Sequence, residues 1–296
     1  MIKQLFGGLL AASALLGAAN LAEAKTLNVV ASFGVLADVV KNVGGDSVNV
    51  VSLVPTGGDP HVFEPTPTDA RNISGADLVF ISGFGFEGWI ERLVEASGYK
   101  GKPIVVSEGI STHKMEDDGK TITDPHVWNS AANVGIWIGN IEKALAKADP
   151  EDSAVFRANA EHYAKEVADL DAYAKKAISA VPKDRRKVLT SHDALGYFGR
   201  EYGVKFLSPV GISTEAEASA GDVARLIDQI KKEHVKVYFF ENSNDPRLVR
   251  QIADATGAQQ GGELFVEALS PKDGPAPDYL TMFKHNVDLL VAGMNL

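Results

Sequence analysis

Eight short runs along the chain are rich in β-branched and aromatic residues, and helix-length stretches of mixed polarity separate most of them. The first four are "TLNVVAS" (26–32), "VNVVSLV" (48–54), "DLVFIS" (77–82) and "PIVVS" (103–107). The second four are "KVLTS" (187–191), "VKFLS" (204–208), "VKVYFFE" (235–241) and "GELFVE" (262–267). Runs apolar on both faces, alternating with helices such as 34–44, 86–97, 221–233 and 246–257, predict parallel sheets covered on both sides. The expected fold class is α/β, with two lobes. Each lobe is a roughly four-stranded, mainly parallel sheet flanked by helices.

The stretch between the halves reads differently. In 149–182 the apolar residues fall at Phe156, Ala160, Tyr163, Val167, Leu170, Ala174, Ala177 and Val181. Steps of four and three keep one helix face apolar. Asp149 is expected as N-cap, with Pro150 at the first helical position. No Gly or Pro interrupts the pattern before Pro182, so a stiff rod of about 50 Å is predicted at 1.5 Å per residue. The organisation that follows is an N-terminal lobe over 25–148, one long rigid linker helix over 149–182 and a C-terminal lobe over 183–296.

The N-terminus is a separate object. Lys3 precedes an uncharged apolar run from Leu5 to Ala19, and Ala22-Glu23-Ala24 gives a small-x-small ending. This is the pattern of a secretory signal over 1–24, cleaved after Ala24. The run is shorter than the roughly 20 apolar residues a membrane span needs. The mature chain is expected in a bacterial periplasm.

At 296 residues, 45% hydrophobic and 23% charged, the chain as a whole has the composition of a folded globular protein. A net charge of −10 argues against a nucleic-acid partner and mildly favours cations. There is no cysteine. Disulfides are therefore excluded, as is a thioether lipid anchor, and any metal site must use nitrogen and oxygen ligands.

Seven histidines are present, and three stand out. His61 in "DPHVFE" and His126 in "DPHVWN" share the tetrapeptide Asp-Pro-His-Val, 65 positions apart. His192, in "TSHDALGYF", directly follows the strand "KVLTS". In open α/β sheets, ligands gather beyond the carboxyl ends of the strands. His61 and His192 follow strands at that end, one in each half, and the loop over about 108–124 allows His126 to return to the same rim. Pro60, Pro65 and Pro67 stiffen the chain around His61, which lowers the ordering cost of binding. Three neutral imidazoles suit zinc, commonly completed by a carboxylate. Glu217, Glu241, Glu267 and Asp278 all sit near strand ends of the C-terminal half, and spacing does not choose among them. His162, His234 and His285 read as structural. His113 lies in an acidic segment that reads as surface, with a cation-collecting collar as the second reading.

These segments resemble the periplasmic metal-binding components of bacterial zinc and manganese ABC importers. "GGDPHVFEPTPTDARNISGADLVFISGFGFEGWI" is similar to the family's first metal motif, "DPHVWNSAANV" to its second and "TSHDALGYFGREYGV" to its third. "DYLTMFKHNVDLL" resembles its last helix. The resemblance implies two α/β lobes joined by one long helix, a metal bound between them, and no catalysis. It implies His61, His126 and His192 as metal ligands, with Asp278 as the fourth. Manganese-type members usually carry Glu where His192 stands, so the resemblance points to Zn²⁺ as the transported ligand, with a manganese-type protein as the alternative. An inner-membrane ABC permease is the implied partner, and a periplasmic metallochaperone is a second candidate. The chain is expected to be a monomer.

One further class stays open from the residues themselves: a three-histidine zinc hydrolase with an open water position and Glu64 or Glu241 as base. No HExxH or Ser-His-Asp signature supports it, and a fourth protein carboxylate would close the site.

Overall fold

The computed structural model describes residues 26–117, 120–211, 214 and 218–296; the expected signal peptide and Glu217 lie outside the described residues. In the first half, β1 (Leu27–Ala31), α1 (Gly34–Gly44), β2 (Val48–Ser52), α2 (Pro67–Ser74), β3 (Leu78–Ile81), α3 (Ile90–Ser97) and β4 (Ile104–Val105) alternate. A hairpin, β5 (Lys114–Asp117) and β6 (Lys120–Thr123), follows, then α4 (Ala131–Ala148) and the 27-residue α5 (Ser153–Ser179). The second half runs β7 (Lys187–Leu189), α6 (Gly196–Tyr202), β8 (Lys205–Leu207), α7 (Ala220–Glu233), β9 (Val237–Glu241), α8 (Arg247–Thr256), β10 (Gln259–Leu264) and α9 (Tyr279–Met294).

The strands form two four-stranded sheets, ordered β2-β1-β3-β4 and β10-β9-β7-β8. Every pairing within them is parallel. Counted from its own first strand, each sheet has the order 2-1-3-4. Both therefore reverse direction between their first and third strands, the position where a crevice opens beyond the strand ends.

The eight expected strands are all present. The long helix is shorter than 149–182. Asp149 caps the end of α4, and its carboxylate accepts the amides of Glu151 and Asp152 at 3.1 and 3.4 Å. Asp149-Pro150 thus makes the turn between α4 and α5, and α5 covers about 40 Å at 1.5 Å per residue. Its buried face is Phe156, Ala160, Tyr163, Val167, Leu170, Ala174 and Ile178. The rod packs along α4 and against α1 and α9.

One apolar cluster runs through this junction, with Phe33, Trp128, Trp137, Phe156, Tyr279 and Phe283 all buried in it. Truncating such a residue costs about 3–5 kcal/mol for Phe→Ala. A second cluster, including Leu189, Leu207, Ile230 and Ile252, sits with α7 and α8 on the C-terminal sheet. No described helix is long and apolar enough to cross a membrane.

Candidate metal centre

The two Asp-Pro-His-Val copies build the same local device. The carboxylate of Asp59 accepts the backbone amide of His61, and that of Asp124 accepts the amide of His126, each at 2.9 Å. An Asp bonded two residues on closes a tight turn, so each histidine is fixed to its loop by the acid that precedes it. Around His61 the loop is held further by Trp89, whose indole donates to the carbonyl of Pro60 at 2.8 Å. "TPTD" starts α2 as a capping box, in which Thr66 and Asp69 satisfy each other's backbone amides.

His192 leaves β7 and is held by Glu241 at the end of β9. One Glu241 oxygen accepts the amides of Ser191 and His192 at 3.0 and 3.2 Å, and the other pairs with His192 Nδ1. Asn244 donates to the same carboxylate at 3.0 Å. A carboxylate on the outer nitrogen of an imidazole fixes its tautomer and leaves Nε2 free to bind a metal. Asp124 does the same for His126, accepting from Nδ1 at 2.9 Å.

The fourth residue at the centre is Glu267, three positions beyond β10. Its Oε1 lies 2.8 Å from His61 Nε2, 3.0 Å from His126 Nε2 and 3.1 Å from His192 Nε2. The Nε2 atoms of His61 and His126 are 3.1 Å apart. A tetrahedron with arms of about 2.0 Å has edges of about 3.3 Å, so a small contraction separates these edges from zinc geometry. All four side chains are buried. The Glu267 backbone is set by its neighbours: Trp128 donates to the carbonyl of Val266 at 2.7 Å, and Asn286 pairs with both the amide and the carbonyl of Phe265.

Asp278 is not part of this group. Its carboxylate caps α9, accepting the amide of Thr281 at 2.8 Å, and Thr281 answers with its hydroxyl. Asp278 was expected as the fourth ligand, but the structure brings Glu267 rather than Asp278 to the three histidines: the helix N-terminus engages Asp278 locally, while Glu267 emerges from the sheet at the rim. Glu241 supports a histidine from behind, and Glu64 is exposed.

The remaining histidines divide clearly. His162 is an exposed neighbour of Glu166 on α5, His234 ends α7 in a left-handed conformation, and His285 lies 3.1 Å from the carbonyl of Glu263. His113, read from sequence as surface, is turned inward against Asp124. Its segment is the hairpin β5–β6 rather than a loop.

Burial and charge act against each other at this cluster. Burial would push Glu267 up, but the His61 and His192 rings hold it well below the usual carboxylate range. Burial would lower His192, yet Glu241 and Glu267 raise it well above an ordinary histidine. His126 is raised too, because the hydrogen bonds of Asp124 and Glu267 outweigh its burial. Glu267 Oε2 is buried without a hydrogen-bond partner among the described residues, a cost that coordination to a cation removes. A cleft of about 650 Å³, lined by Asp59, Val62, His192 and Thr214 among others, opens beside His192.

The zinc-uptake complex component A periplasmic family (ZnuA) matches residues 29–293. The chain is 33% identical over 293 residues to the iron-binding protein YfeA of Yersinia pestis, covering 96% of this chain and 94% of that one. It is 32% identical to the manganese-binding lipoprotein MntA of Bacillus subtilis, covering 90% of each. Among solved structures, the periplasmic zinc-binding protein TroA of Treponema pallidum superimposes with a TM-score of 0.85 at 30% identity, over 91% of this chain and 99% of TroA. An Mn-bound periplasmic metal-binding protein of Candidatus Liberibacter asiaticus gives 0.81 at 31%, over 90% and 98%. With the fold, the buried donor set and these relatives in agreement, the chain belongs to the ZnuA family of periplasmic metal-binding proteins, the non-enzymatic solute-binding components of ABC metal importers.

Proposed function

We propose that this chain, exported and processed after Ala24, captures Zn²⁺ between its lobes through His61, His126, His192 and Glu267 and passes it to an inner-membrane ABC permease. The observation that carries this reading is the convergence of three Nε2 atoms on one Glu267 oxygen at 2.8–3.1 Å in a buried centre. Two of those imidazoles and the carboxylate come from different sheets, so the ion is shared by both lobes. Nitrogen-rich, four-coordinate donor sets favour zinc over hard, oxygen-seeking ions. Glu267 occupies the position that a hydrolytic zinc site leaves to water.

A manganese- or iron-type protein of the same fold is the second reading. It is favoured by the names of the relatives and by Glu267 Oε2, which offers a fifth, oxygen ligand. Metal content of the protein as purified, followed by competition among Zn²⁺, Mn²⁺ and Fe²⁺, separates the two. Zinc retained against excess manganese supports the first reading, and displacement by manganese overturns it.

A further inference from the structure

Behind the metal centre, a second histidine completes a chain of contacts that begins at a ligand. Asp124 is wholly buried and uses its two oxygens differently. Oδ1 holds the backbone amide and ring Nδ1 of His126, both at 2.9 Å. Oδ2 faces His113 Nε2 at 3.2 Å, an ion-pair distance, and neither atom has a hydrogen-bond partner among the described residues. The backbone reinforces the pairing, since the amide of Asp124 donates to the carbonyl of His113 at 3.2 Å. His113 therefore meets the buried carboxylate from the side opposite the metal ligand.

The other lobe closes over this pair. Tyr197 of α6 packs against the His113 ring at a tilt of 52°, with ring centres 4.4 Å apart, and donates its hydroxyl to the Asp124 carbonyl at 2.9 Å. Gly196, the first residue of α6, lies so close that a Cβ there would stand 2.5 Å from Asp124 Oδ2 and 2.9 Å from His113 Cε1. The approach requires a residue without a side chain. A bulkier residue would push α6 off the pair or turn the carboxylate away from His126.

We propose that His113 is a positioning residue for metal binding: through Asp124 it fixes the tautomer and aim of His126, and Gly196 lets the C-terminal lobe clamp the arrangement. His113 touches no ligand atom of the cation. Its Nε2 stands against an Asp124 oxygen that has no hydrogen-bond partner among the described residues. Without that ring, a buried carboxylate oxygen loses the charge partner facing it, and rotation of Asp124 toward a new one releases the His126 ring. The same contact spans the two lobes, so the geometry of an N-terminal ligand depends on α6 of the other lobe.

The inference rests on His126 being a ligand, and the test separates the two claims. Zinc affinity is measured by chelator competition for the full mature chain and for His113→Ala, His113→Gln and His126→Ala, with the His126 ring followed by nitrogen NMR in the zinc-free protein. Loss of an outer partner of a ligand costs about 10–100-fold in affinity, and His113, one contact further out, is expected at the lower end, about tenfold. Gln carries an amide N–H at similar reach, so His113→Gln is expected to regain most of the affinity and to restore the His126 ring signals that His113→Ala shifts. Wild-type affinity in His113→Ala, or equal weakening in the Ala and Gln variants, overturns the positioning role. Wild-type affinity in His126→Ala overturns the metal-centre reading itself.

Discussion

Asp38 in α1 accepts the backbone amide of Tyr279, the first residue of α9, at 2.9 Å, so one carboxylate ties the first helix to the last. Tyr163 of α5 donates its hydroxyl to the same oxygen at 3.4 Å, and three helices meet at this group. Burial pushes the Asp38 carboxyl up to about 6, with the nearby Asp278 charge adding to the rise while Tyr279 and Tyr163 oppose it. A pKa above the unfolded value means the folded state holds the proton more tightly. Stability from this group is present at low pH and is lost as pH rises from 3.8 through about 6. Asp38→Asn keeps an acceptor for Tyr279 and removes the buried charge. It is expected to gain about 1–2 kcal/mol at pH ~7.5 and nothing at pH ~4. Thermal unfolding at both pH values checks this; a loss of stability at the higher pH contradicts it.

Removing donors at the centre separates ligands from neighbours. His61→Ala, His126→Ala, His192→Ala and Glu267→Gln are each expected to weaken zinc binding by more than the roughly hundredfold limit for outer contacts, with native circular dichroism. Asp278→Ala, by contrast, removes a helix cap worth about 1 kcal/mol and leaves affinity intact. Zinc titrations of the five variants decide the matter. If Asp278→Ala abolished binding while Glu267→Gln did not, the assignment of Glu267 would be wrong.

The pH response of the zinc-free protein has a defined sign. Glu267 lies well below its ordinary 4.5, so its stabilisation is complete above 4.5 and is lost as pH falls through its folded value. His126 and His192 lie above 6.5, so theirs is complete below 6.5 and is lost as pH rises through their folded values. The cluster therefore stabilises the zinc-free form most between pH 4.5 and 6.5. Zinc must displace those protons. Calorimetry at neutral pH in buffers of different ionisation enthalpy is expected to show release of about one proton or more per ion, with affinity falling toward acid. Binding without proton release is the contrary result.

Metal preference is expected to respond to His192. Replacing it with Glu adds an oxygen ligand and favours manganese. Glu241 then faces a carboxylate instead of an imidazole, so the replacement is best paired with Glu241→Gln to avoid repulsion behind the site. Competition between Zn²⁺ and Mn²⁺ in the double variant is the measurement. Undiminished preference for zinc would show that selectivity is set elsewhere.

Much of this architecture was legible in the residues because parallel strands covered on both faces leave dense apolar runs, and all eight appear where such runs occur. The repeated Asp-Pro-His-Val was legible for a local reason as well, since the acid, the proline and the histidine act within one turn. The hairpin β5–β6 was not, because "HKMEDDGKTIT" is polar and lacks an apolar run. Asp149-Pro150 carried a helix-start signal that the chain spends on a turn between two helices. The choice between Glu267 and Asp278 depended on distant contacts, Trp128 with Val266 and Asn286 with Phe265. Only the Asp-x-x-Thr spacing of 278–281 gave a local hint that Asp278 was engaged as a cap.

Trp128 has a consequence of its own for how the protein can be studied. Its indole is buried, anchored next to Glu267, and its ring centre lies 5.5 Å from that of His126. An excited indole this near an imidazole is sensitive to whether that imidazole carries a proton or a metal. Loading of an ion at the proposed centre is therefore expected to change the intrinsic emission of Trp128, with no dye attached.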